Sequence, residues 1–297
     1  MISFEPEDKS IPELFGLMLG AIAPRPIAFA STVDDEGKPN LAPFSFFNTF
    51  GANPPIVVFS PSLKGKDSTS KHTLDNVKQV PEVVINIVNY SMVQQVNLAS
   101  TEYPKGINEF EKAGFTQIKS DIVKPFRVKE SPVQLECKVL NIIETGTGGA
   151  AGNLVICEIV KFHYHKNIID ENGKVDPNKI DLVGRMGGDY YTRSSGDSLF
   201  TLKKPQGENG IGIEALPTEV KLSKVLTGNE LGLLGGLKKL PDLNEVNKFV
   251  ESDPCLDHLI ALKLNEKQFT AEKHRVAQQY LDLNKIEEAL KILLFKP

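Results

Sequence analysis

Several features that would indicate a particular function class are missing or scarce in this sequence. It has no tryptophan, no HExxH or GxSxG motif, and only three cysteines, none of them in a CxxC pair. Zinc-protease and serine-hydrolase chemistry therefore have no support. Cys137 and Cys157 lie in apolar, strand-like runs and are expected to pack in the core, while Cys255 stands apart. This cysteine usage is typical of a cytoplasmic protein with reduced thiols.

The sequence also lacks a surplus of positive charge and a long apolar run. Its net charge is −4, whereas nucleic-acid-binding proteins are usually basic, so we expect no nucleic acid partner. No apolar stretch approaches the ~20 residues of a membrane span. The first residues, MISFEPEDKS, show no basic segment followed by an apolar one, so we expect no secretory signal and no membrane association.

Most of the remaining pattern indicates β-strands separated by glycine and proline turns. Short helices are expected at 68–77, 91–100 and 108–115. Many strands with few helices predict a mainly β fold, a closed antiparallel barrel with small helices packed outside. The apolar and β-branched runs predict strands at 27–33, 41–50, 56–60, 83–88, 133–145, 153–165 and 189–202.

The pattern changes after Pro217, where helical periodicity replaces strand signals. We place a domain boundary near 205–218, which gives a β domain at 1–210 and a helical C-terminal extension at 218–297 whose role is unknown. Helices are expected at 218–227, 242–251, 266–281 and 284–294. The last two resemble one tetratricopeptide pair, or an ordinary helical hairpin, since one pair cannot form a solenoid.

Hydroxyl groups and lysines converge where the helix at 68–77 is expected to begin, with Asp67 or Ser68 as its N-cap. Free N–H groups and the helix dipole would add to the attraction for a phosphate. The alternative is a solvated lysine loop. The residues of this possible anion site are Ser60, Lys64, Lys66, Ser68, Thr69 and Lys71.

An aromatic block precedes this possible anion site. Phe44, Phe46, Phe47 and Phe50 cannot all face one side of a strand, so at least one is expected in a cleft or a subunit interface. Aromatic walls beside phosphate donors suit a flat cofactor that carries a phosphate.

Two further motifs are weaker. The loop GTGGAAG at 146–152 is followed by a β-rich segment, so it lacks the helix that a dinucleotide fingerprint requires, and we interpret it as a hairpin loop. His163 and His165 share one face of a strand, which is compatible with zinc, with a polar pair at a strand end, or with a ligand contact. No metal site is predicted. The sequence shows no clear acid, base or nucleophile, so a cofactor could supply the reactive atoms.

Several motifs in the same order resemble the flavin-reductase-like family with the FMN-binding split-barrel fold. The resemblance covers roughly residues 10–203. It depends on RPIAFAST, NLAPFSFFN, NPPIVVFS, KDST, LASTEYPKGINEFEKAGF, SPVQLECKV and VGRMGGDYYTR. The resemblance implies a six-stranded antiparallel barrel that forms a homodimer, with FMN held near the subunit interface.

The resemblance also implies a set of cofactor-binding residues and no catalytic side chain. The isoalloxazine ring would lie along Ser45, Phe46, Phe47, Asn48 and Thr49. The phosphate would lie among Ser60, Lys66, Asp67 and Ser68. Further contacts would come from Arg25, Ser100, His163, Arg185, Tyr190 and Arg193. In two places the chain departs from the family pattern: Ser68 stands where Thr is common, and His165 where an acidic residue is usual.

The function implied is hydride transfer between NADH or NADPH and the flavin, with electrons passed to a monooxygenase partner or another acceptor. Direct transfer requires stacked rings and no protein acid or base. The alternative is an FMN store, sensor or electron carrier without its own turnover, in which case the helical extension would dock a partner.

Overall fold

The computed structural model describes residues 1–202, 209–257, 259 and 266–296. These residues form two compact units, Met1–Phe200 and Thr201–Pro297. The strands lie in the first unit, and the described part of the second unit is helical. The predicted boundary at 205–218 begins within 203–208, which lie outside the described residues.

Strands form where alternating apolar side chains are bounded by turns, and those described here are two to twelve residues long. Here they are β1 (Ala28–Val33), β2 (Pro39–Phe44), β3 (Phe47–Ala52), β4 (Pro55–Phe59), β5 (Glu82–Ile87), β6 (Gln117–Ile118), β7 (Arg127–Val128), β8 (Val133–Glu144), β9 (Asn153–Tyr164), β10 (Leu182–Arg185) and β11 (Tyr191–Ser194).

Seven of these strands form one antiparallel sheet in the order β2-β1-β5-β8-β9-β4-β3. This is one strand more than the six that the resemblance implies. The outermost strands β2 and β3 are joined by only Ser45 and Phe46. The two ends of the sheet therefore meet, and the sheet is rolled. The predicted strand at 41–50 is thus two strands that belong to opposite ends of the sheet.

Strand β1 is buried along its whole length because both of its faces are covered. Ala28 and Ala30 belong to a core cluster that also contains Phe59, Val83 and the two cysteines of β8 and β9. Phe29 points the opposite way, into a second cluster with residues from the helices. The period of two along the strand produces this division.

The helices of the first unit pack outside the sheet, as predicted. Helix α1 begins after Ser10, where Ser10 and Glu13 form a capping box, a signal that the sequence analysis missed. Helix α4 ends at Gly114 in the left-handed conformation, as expected for a C-cap. The bounds are α1 (Ile11–Ala21), α2 (His72–Gln79), α3 (Val93–Ala99), α4 (Glu109–Ala113) and α5 (Pro177–Ile180), with 3-10 turns at Pro6–Asp8, Tyr90–Met92, Lys166–Ile168 and Gly196–Ser198.

The second unit has its own apolar core, which includes Val246, Val250 and Leu290. Capping boxes at Thr227 and Asp242 begin two of its helices. The helices are α6 (Thr218–Lys221), α7 (Gly228–Gly235), α8 (Leu243–Ser252), α9 (Glu266–Asp282) and α10 (Ile286–Leu294), with a 3-10 turn at Pro254–Leu256. The mainly β, antiparallel architecture with peripheral helices and a helical C-terminal extension is confirmed. Among the described residues of both units, no helix combines the length and apolarity needed to cross a bilayer.

Candidate functional site

Two predicted parts of the cofactor site lie side by side where the two ends of the sheet meet. They are residues 45–49, here called the ring segment, and residues 60–68, here called the phosphate segment. The Ser60 N–H donates to the Phe46 carbonyl at 2.8 Å. Phe47 pairs with Phe59 in the register of β3 and β4. Ser45, Phe46 and Phe47 are half-buried, whereas Asn48 and Thr49 are exposed. A partly exposed segment with polar side chains therefore follows directly after the buried Phe44.

Arg25 is buried beside this junction, with 6% of its surface exposed. Its guanidinium donates to the carbonyls of Leu19, Ile22 and Met186 at 2.7, 2.5 and 2.9 Å. Its Nε lies 3.4 Å from the Ser45 hydroxyl. Burial lowers the pKa of Arg25, and the charge of Arg185 lowers it further. Arg25 therefore joins α1, the predicted ring segment and the segment after β10, and most of its donors already have partners.

The motif VGRMGGDYYTR, residues 183–193, lies on the β10–β11 hairpin next to Arg25. Arg185 stacks over the Tyr191 ring at 4.6 Å, and Tyr190 is 77% exposed. Arg193 lies at the other end of this hairpin, where its guanidinium forms two 2.7 Å bonds to Asp181. The structure therefore places Arg185 and Tyr190 near Arg25 and holds Arg193 in a separate ion pair.

Residues 60–71, here called the anion loop, follow β4. The prediction of a helix start at Asp67 or Ser68 is wrong: α2 begins at His72, with Lys71 at the N-cap position. The Asp67 carboxylate instead accepts from the Thr69 N–H and hydroxyl at 3.0 and 2.7 Å. Ser68 has a φ of 58°. Because this turn satisfies the side chain locally, the segment is a loop, and the helix dipole begins only beyond it.

The polar side chains of the anion loop differ in how exposed they are to solvent. Lys66, Asp67 and Ser68 are exposed. Ser60 is 8% exposed, and its hydroxyl oxygen accepts from the Asn153 N–H at 3.0 Å. That bond uses one of the oxygen's two acceptor positions and leaves the Ser60 hydroxyl hydrogen to donate to a ligand.

A cavity of about 110 Å³ adjoins the anion loop. Lys71 extends into it, with its ammonium 5.6 Å from the Phe44 ring centroid. Burial lowers the pKa of Lys71, while Glu102 opposes and Lys64 adds to this effect. The residues lining the cavity are Asn40, Ala42, Pro43, Phe44, Lys64, Lys71, His72, Thr73, Ala99, Ser100, Thr101, Glu102, Tyr103 and Glu109. The structure therefore brings Ser100 together with two of the six residues of the possible anion site.

His163 is not brought to the anion loop within one chain. Asn153 contacts Ser60 at the start of β9, whereas His163 lies near the end of that strand, roughly 30 Å away in an extended strand. Its Nε2 lies 2.7 Å from Oε1 of Glu136, which is fully buried. Sequence spacing could not reveal this partner because it lies on the neighbouring strand β8. His165 follows β9, and its N–H donates to the Pro132 carbonyl.

Glu136 is the centre of an ion-pair network. Burial by itself would raise the pKa of Glu136, but hydrogen bonds from the N–H groups of Asp121 and Ile122, and from His163, lower it below the ordinary value. Asp121 also pairs with Lys161 at 2.6 Å. The ligand-type atoms of Asp121, Glu136 and His163 lie within 4.8 Å of one another. Since N–H donors and cations already occupy these oxygens, the arrangement is that of a structural network.

Helix α1 packs against the aromatic block, a contact that no sequence motif indicated. The Phe15 ring meets the Phe46 ring edge-on at 5.9 Å. Ile11, Leu17 and Met18 are exposed on the same helix, as is Ile22 directly after it, and Phe50 of β3 is 68% exposed. Of the aromatic block, Phe50 is therefore the member that faces outward most.

Comparison with known proteins identifies the family to which the first unit belongs. The model of the flavin reductase like domain family matches residues 19–179, more than half of the chain. The chain belongs to the flavin reductase like domain family. A relative from Aquifex aeolicus is 36% identical over 184 residues, which cover 62% of this chain and 91% of the relative. A relative from Halalkalibacterium halodurans is 34% identical and covers 69% of this chain and 97% of its own length.

Solved structures show the same fold for the flavin reductase like domain. Nitrilotriacetate monooxygenase component B from Bacillus cereus aligns with a TM-score of 0.64 and 30% identity, over 68% of this chain and 98% of that one. 2-Nitrobenzoate 2-nitroreductase from Pseudomonas fluorescens aligns with a TM-score of 0.60 and 27% identity, over 70% and 100%. A Shewanella frigidimarina protein assigned to the flavin reductases with a split barrel domain aligns with a TM-score of 0.58 and 26% identity, over 69% and 100%. The expected antiparallel split barrel is confirmed.

Proposed function

We propose that this chain is an FMN-dependent oxidoreductase that uses NADH or NADPH as electron donor. The observation that carries the proposal is the contact between Phe46 and Ser60, which joins the predicted ring segment to the predicted phosphate segment. Two segments that the sequence patterns and the family resemblance assign to one cofactor are neighbours in the fold.

The residues on the phosphate side fit an anionic group. Lys64 and Lys71 border the cavity, and Lys66 is exposed on the same loop. The Ser60 and Ser68 hydroxyls add neutral donors to these three cations. Hydrogen bonds to a charged phosphate are stronger than those between neutral groups, so this loop supplies most of the affinity for the phosphate.

The residues on the ring side fit a flat, partly apolar group. Phe46 is fixed by the edge-on contact with Phe15, and Ser45 by Arg25. Arg25 and Arg185 place positive charge beside this segment, which favours an anionic state of a bound group. These residues position and polarise, and none of them has to exchange a proton.

FMN bound here would supply the hydride chemistry, accepting a hydride from the nicotinamide and delivering electrons to a downstream acceptor. Ser45 to Thr49 would hold the flavin ring where a nicotinamide ring can stack on it. The proposal therefore requires no acid, base or nucleophile from the protein.

A homodimer is part of the proposal. The exposed apolar side chains of α1 and Phe50 form the kind of surface that a second copy covers. With FMN near such an interface, two chains could contact one FMN, and His163 from one chain would complement Ser60 from the other. The likeness to a monooxygenase component B supports a monooxygenase as the electron acceptor. A cytoplasmic location is part of the proposal because Cys137 and Cys157 are free thiols.

The absorbance spectrum of the purified protein tests the proposal. We expect flavin absorption bands, with or without added FMN, and bleaching within seconds when NADH or NADPH is added anaerobically. A spectrum that shows bound flavin without bleaching would favour a store, sensor or electron carrier. A protein that takes up no flavin would refute both functions.

A further inference from the structure

The glycine-rich hairpin between β8 and β9 lies against the anion loop. The Leu63 N–H donates to the Ala151 carbonyl at 2.9 Å, and the Ala150 N–H donates to the Leu63 carbonyl at 3.2 Å. These two bonds run in opposite directions between the same segments, as in a short antiparallel bridge. The hairpin is therefore attached to the middle of the anion loop.

Asn153, directly after the hairpin, attaches the start of the same loop. Its side-chain amide donates to the Pro61 carbonyl at 2.9 Å, and its N–H donates to the Ser60 hydroxyl at 3.0 Å. Asn153 is 2% exposed, so water does not compete for these bonds. The second bond also orients the hydroxyl of a proposed phosphate contact.

Gly149 shows how closely the two segments approach. A Cβ at this position would lie 2.8 Å from the Gly65 carbonyl oxygen and 3.2 Å from its Cα. Both atoms are backbone, so a side chain at Gly149 would displace the anion loop itself. Gly148 has no atom within 4 Å of the corresponding position. Neither residue has a positive φ, so alanine strains the backbone at neither position. The two alanine variants therefore differ in the contact with Gly65 alone.

We propose that Gly149 and Asn153 are positioning residues that set the shape of the anion loop and, through it, the preference for a phosphorylated flavin. The inference rests on the function proposed above and deepens it. In this proposal the hairpin acts through the anion loop and not through a contact with the flavin. It holds Ser60 and the segment around Gly65 in the arrangement in which their donors converge on one phosphate, because a preorganised loop loses little entropy on binding.

The experiment compares the dissociation constants of FMN and riboflavin, which lacks the phosphate, for the full-length protein and two matched variants. We expect Gly149→Ala to weaken FMN binding at least tenfold, the equivalent of about one hydrogen bond to a charged group. The affinity for riboflavin should change less than twofold. Gly148→Ala should leave both constants unchanged.

Other outcomes overturn the inference. An FMN constant for Gly149→Ala within twofold of wild type means that the contact is irrelevant to binding. Equal loss of FMN and riboflavin affinity means a general structural effect. If circular dichroism shows that Gly149→Ala does not fold, Asn153→Ala is measured in the same way, and an unchanged FMN-to-riboflavin ratio counts against the inference. If the wild-type protein binds FMN but the variants show none of these effects, the inference fails and the proposed function stands. If the wild-type protein binds no flavin, both fail.

Discussion

Arg25 and Arg185 pair through their main chains, each donating its N–H to the other's carbonyl oxygen, at 3.0 and 2.8 Å. Two side chains of like charge are thereby kept as neighbours, although they repel each other. The cost is offset because the Arg25 guanidinium donates to three main-chain carbonyls. This pairing fixes the late β10–β11 hairpin next to the ring segment of the proposed FMN site.

Replacing Arg25 by lysine should destabilise the first unit. Lysine keeps the charge but cannot reach the carbonyls of Leu19, Ile22 and Met186 together. An unsatisfied buried carbonyl costs about 1–3 kcal/mol, so we expect a loss of about 2–3 kcal/mol in the free energy of unfolding by urea, followed by circular dichroism. Arg275→Lys makes the same chemical change at an exposed position and should cost less than about 0.5 kcal/mol. Equal stability of the two variants would contradict the structural role of Arg25.

The double variant Lys66→Ala with Ser68→Ala should weaken FMN binding. It removes one charged and one neutral donor from the exposed part of the anion loop. Each hydrogen bond to the charged phosphate is worth about 1.5–3 kcal/mol, so a loss of affinity of at least tenfold is expected in a fluorescence titration. Lys174→Ala, on an exposed turn, should have no effect. Unchanged FMN affinity in the double variant would place the phosphate elsewhere, and the cavity at Lys71 would be the next position to test.

Glu136 should make stability depend on pH in the acidic range. Its folded-state pKa is lowered below 4.5, so the unfolded chain binds this proton more readily. The stabilisation is therefore fully present above about pH 5 and is lost as the pH falls through the folded-state pKa. Glu136→Gln should cost about 3 kcal/mol at neutral pH, because the guanidinium of Arg127, whose Nε lies 3.9 Å from Glu136, loses its charged partner. The cost should shrink as the pH falls through the folded-state pKa of Glu136. Melting curves of this variant and of the exposed control Glu171→Gln should separate at pH 7 and converge at low pH, and a gap independent of pH would contradict the account.

The two core cysteines should be chemically inert in the folded protein. Burial raises the pKa of Cys157 to about 12 and that of Cys137 well above its ordinary value, so neither forms the reactive thiolate near neutral pH. In a Cys255→Ser background, a thiol reagent at pH 8 should react with no more than a trace of the protein until urea is added. Fast reaction without urea would show that the core between β8 and β9 opens readily.

Much of this fold could be predicted from the sequence because the residues that specify a strand or a helix end lie within or beside that element. The β-branched runs of β1, β4, β5, β8 and β9 and the glycine C-cap of α4 all lie within a few residues of the elements they specify. The division of 41–50 into two strands could not be predicted, since its strand signals are continuous. Only tertiary pairing of β2 with β1 and of β3 with β4 separates them.

The candidate site was less predictable than the fold, since it depends on contacts between distant segments. The helix start at Ser68 was predicted from its hydroxyls, but the Asp67 side chain closes a local turn that competes with a helix. The partner of His163 is a glutamate 27 positions away, on the next strand. The approach of Gly149 to Gly65 leaves no trace in sequence patterns other than the glycines themselves.

The most direct test of the account is an equilibrium titration of the purified protein with FMN, monitored by the flavin's own fluorescence, which the absence of tryptophan leaves uncomplicated. The account predicts saturable binding of one FMN per chain, with riboflavin bound more weakly because it cannot use the anion loop. Failure to bind FMN at any accessible concentration, or equal affinity for FMN and riboflavin, would contradict it.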